Sequence, residues 1–231
     1  MLRTSQLTVC LSLAIGSAPL LAGELQVKMS VQEPVGVARK EEPFCGGIPL
    51  PRGRFPKDQE FTVLQGGRAV PAQVLPMVVD ADGKVTWLLV DVQASVPANG
   101  KLDFTLAAGK SSARPATPLK VTEGADGVTV DTGKITFVIA KNKPFGLFDS
   151  VQSGGKPVLA GGEVTYTDAW GEKPTYKADK PYELAVEYSG PMRATVCAKG
   201  FFVGDDKTKL RYIARVTAWA GKSRVHVKFK L

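Results

Sequence analysis

Basic side chains recur near the carboxyl-terminal end of the sequence, in runs that alternate polar and apolar residues. We identify five of them as candidate ligands for an anionic group: Arg193, Arg211, Arg215, Arg224 and Lys228. The planar guanidinium of arginine binds a carboxylate through two parallel hydrogen bonds, and lysine adds a point charge. If their strands pair, several of these residues form one basic face suited to an acidic glycan. The alternative is a sheet's solvated side, or a face covered by another module.

An aromatic cluster in the turn-rich stretch YTDAWGEKPTY is a second candidate binding feature. Trp170 lies near its centre, between Tyr166 and Tyr176. Aromatic rings present flat apolar faces, so these side chains could stack on sugar rings. They could equally cap one end of a β-sandwich core. We retain Trp170 as a candidate ligand-binding residue.

Residues suited to acid–base or metal catalysis are scarce. His226 is the only histidine, and it alternates with Arg224 and Lys228, which is typical of an exposed strand residue. Neither a Ser-His-Asp order nor a metal-ligand spacing is present. We therefore predict no catalytic residue, no metal site and no cofactor in this chain.

The amino-terminal residues 1–22 are typical of an export signal. Arg3 precedes an apolar run over residues 7–21, which is shorter than the roughly 20 residues that a membrane-spanning helix needs. We predict cleavage after Ala22, export to the periplasm or the extracellular space, and no stable membrane anchor afterwards. Cys45 and Cys197 would remain, either as one disulfide or as two buried thiols.

The charge balance narrows the range of partners. The formal net charge is +8 at pH 7, and the excess is spread along the chain. Nucleic-acid binding would call for a basic helix or for aromatic residues interleaved with arginine, and neither pattern is present. We predict no nucleic-acid partner. An acidic polysaccharide is the more natural polyanion outside the cytoplasm.

The elements that would position these side chains are strands. Alternating runs cover residues 25–31, 60–65, 69–80, 85–93 and 101–108, with Gly-rich or Asn-Gly turns between them. Pro71 and Pro76 cannot donate to a β-ladder, which predicts an edge strand or a bulge at 69–80. The stretch 109–118 is rich in small residues and proline, and it predicts a boundary between domains at 24–115 and 118–231.

Four motifs occur in an order that is more specific than any one of them: Gly47–Gly53 (GIPLPRG), Val70–Gln73 (VPAQ), Asp82–Asp91 (DGKVTWLLVD) and Asp131–Lys134 (DTGK). From about residue 30 to residue 231 the chain resembles the exo-rhamnogalacturonan lyase-like (PcRGLX-like) proteins. This resemblance implies an all-β fold, a small RIFT-type barrel followed by an antiparallel β-sandwich. It also implies that residues 47–53 cross between the first two strands.

The same resemblance places the lyase chemistry of the family in a large (α/α) toroid that follows the sandwich. The sequence alternates up to Leu231 without a turn, which predicts either a last strand between two neighbours or a chain that was once longer. Three functions follow as alternatives. The chain is a truncated, non-catalytic region of such a lyase-like protein, a free-standing carbohydrate-binding or assembly module, or a small polysaccharide lyase.

Overall fold

The computed structural model describes residues 25–167, 175–204 and 207–231, with the side chains of 207–209 left aside. Within these ranges the chain forms nineteen strands, all paired antiparallel, and no helix. The all-β prediction is therefore confirmed. No helix in the described part is long and apolar enough to cross a membrane. The export signal predicted at 1–22 and the candidate Trp170 lie outside the described residues.

The chain divides into two units, one ending at Arg114 and the other beginning at Pro115. The first contains two sheets, with orders β1-β8-β4-β5 and β2-β7-β3, and β6 also pairs with β7. Their strands are β1 (Gln26–Gln32), β2 (Arg39–Pro49), β3 (Phe55–Pro56), β4 (Phe61–Gln65), β5 (Arg68–Val70), β6 (Ala72–Val79), β7 (Lys84–Val96) and β8 (Lys101–Ala108). Both sheets contribute to one core, which includes Ile48, Val63, Val85, Leu88 and Leu106.

Two prolines shape the strand that passes between these sheets. Pro71 separates β5, which pairs with β4, from β6, which pairs with β7. Pro76 lies beside a register shift in β6, between Pro76 and Val78. Because proline has no N–H to donate, it is confined to such positions. The bulge predicted for residues 69–80 is confirmed.

The loop predicted at residues 47–53 begins within a strand. β2 extends to Pro49, and Gly47 pairs with Leu89 of β7. A Cβ at Gly47 would lie 2.5 Å from Nε1 of Trp87, so only glycine leaves room for that indole. The loop joins β2 to β3, not the first strand to the second. The prediction was wrong because pairing with the central strand β7 overrides the local glycine and proline signals.

A buried carboxylate fixes the connection from β1 to β2. Glu33 is 1% exposed, and its carboxylate accepts hydrogen bonds from the backbone N–H groups of Val35, Val37 and Asn99 at 3.1 to 3.2 Å. Arg39 pairs with the same group at 3.4 Å. Burial raises the pKa of Glu33, but these N–H donors outweigh that effect and hold the pKa below its ordinary value of 4.5.

Glu33→Gln should lower the melting temperature of the first unit by several degrees at pH 7, because it removes the charge that these donors stabilise. A carboxylate with a lowered pKa stabilises the fold above its unfolded pKa and loses that effect as the pH falls through the folded pKa. The difference from the wild type should thus shrink below pH 4.5. Thermal unfolding across pH checks this, with the exposed Glu60→Gln as control. A difference that is the same at every pH would contradict it.

The second unit is an antiparallel β-sandwich. One sheet has the order β13-β12-β11-β10-β9, and the other has the order β14-β15-β17-β18-β19 with β16 also paired to β17. The first consists of β9 (Lys120–Glu123), β10 (Gly127–Asp131), β11 (Ile135–Ala140), β12 (Ser150–Ser153) and β13 (Lys156–Ala160). The second consists of β14 (Thr165–Thr167), β15 (Thr175–Ala178), β16 (Glu183–Tyr188), β17 (Arg193–Gly204), β18 (Lys207–Trp219) and β19 (Val225–Lys230).

The two inner faces of this sandwich pack around Tyr212, which is 0% exposed. Its ring stacks on Phe145 at 5.0 Å and meets Phe202 edge to face at 5.7 Å. Its hydroxyl donates a hydrogen bond of 2.9 Å to the carbonyl of Asp179. In the described part of the six-stranded sheet, β19 is an edge strand and does not lie between two neighbours.

Candidate functional site

Strand alternation divides the residues of the six-stranded sheet between its two faces. On β17 the residues Ala194, Val196 and Ala198 point into the core, so their odd-numbered neighbours point the other way. We call this solvent side the outer face. It carries residues of three strands: Arg193, Thr195, Cys197, Lys199, Phe201, Arg211, Ile213, Arg215, Thr217, His226, Lys228 and Lys230.

The register brings four of the six candidate ligand-binding residues onto this outer face. Arg215 pairs with Cys197 on one side and with Lys228 on the other, while Arg211 lies opposite Phe201 and Arg193 opposite Trp219. Arg224 precedes β19 and is exposed there. Trp170, the sixth candidate, lies outside the described residues. Pairing of the late strands thus gathers the basic side chains, as their alternation predicted.

Arg215 is already held by an acidic partner. Its Nε and Nη2 donate to the Glu187 carboxylate at 2.7 Å each. Glu187 is on β16, two strands away, at a register shift between Val186 and Tyr188 that lets its side chain reach across β17. Hydrogen bonds from Arg215 are the main reason why the pKa of Glu187 is lowered. A ligand carboxylate would have to compete with this pair.

The Arg215–Glu187 pair lies over Cys197, which is buried. Burial raises the pKa of this thiol, and the charge of Glu187 raises it further. Such a thiol is a poor nucleophile at neutral pH. Cys45 and Cys197 are both thiols in the structure, with Cys45 exposed.

Two more cations of the outer face are engaged by neighbours. Lys199 donates a 2.7 Å hydrogen bond to Glu183, which raises the pKa of Lys199. Arg193 lies 5.2 Å from the ring centroid of Tyr188, a cation–π distance. The outer face is therefore mixed in charge, and fewer of its cations can bind an anion than the sequence indicates.

Arg211 lies next to an exposed aromatic pair that the sequence analysis did not predict. Phe201 is 39% exposed and Tyr182 is 52% exposed, and their ring centroids are 5.3 Å apart. Consecutive residues of a strand point to opposite faces, so one of Phe201 and Phe202 had to lie on the outer face. This pair was the feature of the sequence that could have predicted an exposed aromatic side chain. Among the described side chains, no carboxylate pairs with Arg211.

This corner of the outer face combines the two features that an acidic sugar needs. The Tyr182–Phe201 pair offers flat apolar rings for the C–H face of a sugar, and Arg211 offers a guanidinium for its carboxylate. Lys228, also without a carboxylate partner among the described side chains, adds charge farther along the sheet. In the described part of the chain, no group of His, Cys, Asp and Glu is arranged to hold a metal ion.

The fold of the second unit places it among the antiparallel β-sandwich proteins. The particular family follows from comparison. Residues 119–231 match the family described as PcRGLX-like protein central beta sandwich domain. This match covers just under half of the chain, and it confirms the resemblance to the PcRGLX-like proteins for the second unit. No curated protein matches the chain.

Among solved structures, the chain is similar to an α-mannosidase from Enterococcus faecalis V583. The TM-score is 0.50 and the sequence identity is 12%. The match covers 88% of this chain but only 29% of the mannosidase. The chain thus spans less than a third of that enzyme's length, and at this identity the likeness concerns the fold alone.

Proposed function

We propose that this chain is a non-catalytic β region of an exported rhamnogalacturonan lyase-like protein, and that its outer face binds acidic polysaccharide. The observation that carries the proposal is the match of residues 119–231 to the PcRGLX-like central beta sandwich domain. A domain described as central has further domains on both sides. In this proposal the first unit is the RIFT-type barrel, and the lyase chemistry belongs to the toroid of the family.

The composition of the outer face supports a binding role over a catalytic one. Removing a proton next to a uronate carboxyl requires a base, a cation for the carboxylate, and an acid for the leaving oxygen. Arg211 and Lys228 can supply the cation. His226 is exposed opposite Thr217, and Glu183 and Glu187 are held in ion pairs. The face thus offers cations that can bind a carboxylate, and among the described side chains no evident base lies beside them.

The free-standing module is the second candidate function, favoured by the exposed Tyr182–Phe201 pair, which needs no other domain to bind a sugar. The coding DNA downstream of Leu231 separates the two candidates. An in-frame or frameshifted toroid would favour a part of a longer lyase-like protein, whereas unrelated sequence would favour the module.

Titration calorimetry with an oligogalacturonide tests the binding role. We expect a dissociation constant of about 1 mM, which weakens as salt is added because surface charges are screened over about 8 to 10 Å at physiological ionic strength. The same oligosaccharide with its carboxyls methyl-esterified should bind at least about fivefold more weakly. Equal binding of the two forms, or an affinity that ignores salt, would contradict a basic site.

An ultraviolet absorbance assay with rhamnogalacturonan tests the non-catalytic role. Lyase cleavage creates an unsaturated uronate that absorbs in the ultraviolet, so absorbance should stay flat when the pure protein is incubated with rhamnogalacturonan. A steady rise that Arg211→Ala abolishes would instead identify the outer face as the site of a small lyase.

A further inference from the structure

A groove lies on the other side of the second unit, over one end of its five-stranded sheet. It consists of two adjoining cavities of about 250 and 220 Å³, which share Ala140, Lys143 and Asp149 in their walls. Small-molecule sites usually measure about 300 to 1,000 Å³. Each lobe is somewhat smaller than that, and the two lobes adjoin at Ala140, Lys143 and Asp149.

The two lobes differ in chemistry. The larger is walled by apolar side chains, among them Pro144, Leu147 and Phe148. The smaller lies over the solvent side of the sheet and is walled by Thr122, Thr129 and Asp126. A ligand that fills both lobes must therefore present an apolar surface at one end and hydroxyl-type hydrogen-bonding groups at the other.

An ion pair stands where the lobes meet. Nζ of Lys143 lies 2.8 Å from a carboxylate oxygen of Asp149, and these side chains are 64% and 31% exposed. An exposed pair contributes little to stability. A carboxylate beside an ammonium can, however, accept a hydrogen bond from one sugar hydroxyl while the ammonium donates to its neighbour.

The segment that carries this pair is held in a strained conformation. Leu147 has φ +68°, which is unusual for a bulky residue and persists only where the surroundings enforce it. Phe145 anchors the segment by stacking on Tyr212 and by donating its N–H to the Ala178 carbonyl at 3.2 Å. A Cβ at Gly146 would lie 2.2 Å from the Gly162 carbonyl oxygen, so the backbones touch there. The groove wall is preformed.

We propose that this groove binds a neutral sugar residue through two adjacent hydroxyl groups. Asp149 and Lys143 hold the hydroxyls, and the C–H face of the ring lies on Leu147 and Phe148. The charge of the groove selects against an acidic sugar, since Asp149 balances Lys143 and Asp126 adds a second carboxylate. The site thus goes beyond the proposed function, with different residues and a different class of ligand from the outer face.

Nuclear magnetic resonance titration tests this site with methyl β-D-galactopyranoside and methyl α-D-mannopyranoside, which differ in the adjacent hydroxyls that are cis. At least one should produce saturable amide shifts confined to residues 122–149 and 161–162. Asp149→Asn should weaken that binding at least tenfold, and Lys143→Met should weaken it similarly. The exposed Lys156→Met should leave it unchanged.

Asp149→Asn should keep the fold, because the backbone of Asp149 retains its bonds to Val138 and Gly161, and an unchanged melting temperature checks that. No saturable shift for either glycoside up to about 0.1 M overturns the proposal. So does unchanged affinity in Asp149→Asn, or tighter binding of galacturonate than of both neutral sugars in this groove. Loss of acidic binding at the outer face would leave these shifts in place, so the two proposals fail separately.

Discussion

Gly200→Ala is expected to lower the free energy of unfolding of the second unit by about 1 to 3 kcal/mol, the range for overpacked cores. Gly200 pairs with Tyr212 across β17 and β18. A Cβ there would lie 2.3 Å from the ring and hydroxyl oxygen of Tyr212. That ring is fully buried between Phe145 and Phe202, so it cannot move aside without disturbing the core.

Chemical denaturation of the two variants Gly200→Ala and Gly124→Ala measures this effect against a matched control. A Cβ at Gly124 would only meet the Gly127 carbonyl oxygen at 3.8 Å, an ordinary contact. The control should therefore change stability by less than about 0.5 kcal/mol. If both variants unfold at the same denaturant concentration as the wild type, the close packing of Tyr212 under β17 is wrong.

Arg211→Ala should weaken binding of an oligogalacturonide about tenfold, a loss of about 1.4 kcal/mol. The reason is that Arg211 has no carboxylate partner among the described side chains and so can meet the sugar carboxylate directly. Phe201→Ala should weaken binding of the acidic and the esterified oligosaccharide alike, because it removes stacking and not charge. Calorimetry of each variant with both oligosaccharides separates the two contributions.

Arg215→Ala is the matched control for Arg211→Ala, since both change one arginine of β18 on the same face. The guanidinium of Arg215 is held by Glu187, so its loss should reduce affinity less than about threefold. Arg211→Lys should fall between the wild type and alanine, because lysine keeps the charge but not the fork of donors. If Arg215→Ala costs more affinity than Arg211→Ala, the binding position on the outer face is wrong.

Much of the strand content could be predicted from alternation alone. Residues 25–31 and 101–108 pair as β1 and β8, and the prolines at 71 and 76 marked a sheet crossing and a bulge. The strand Arg39–Pro49 could not be predicted, because its glycines and charged residues carry little strand propensity. It forms because β7 offers a long central partner, and that pairing joins residues far apart in sequence.

The candidate site could be predicted only in part, for a similar reason. Alternation places Arg211 and Arg215 on one face, but it says nothing about what lies beside them. Glu187 reaches Arg215 across β17 from a bulge whose position depends on the register of β16. Tyr182, next to Phe201, precedes β16 and meets the sheet only through the fold. The sequence therefore predicts the residue types and the sheet face on which they lie. Their ion-pair partners and their exposure depend on the tertiary structure.

Mapping the oligogalacturonide onto the protein by amide chemical shifts tests the central claim most directly. Binding through the outer face predicts saturable shifts at Tyr182, Phe201 and Arg211, extending toward Lys228 and shrinking as salt is added. The Arg211→Ala variant should lose most of them at the same ligand concentration. Saturable shifts confined to the first unit, or to the groove around Lys143 and Asp149, would contradict the outer face as the site of acidic polysaccharide binding.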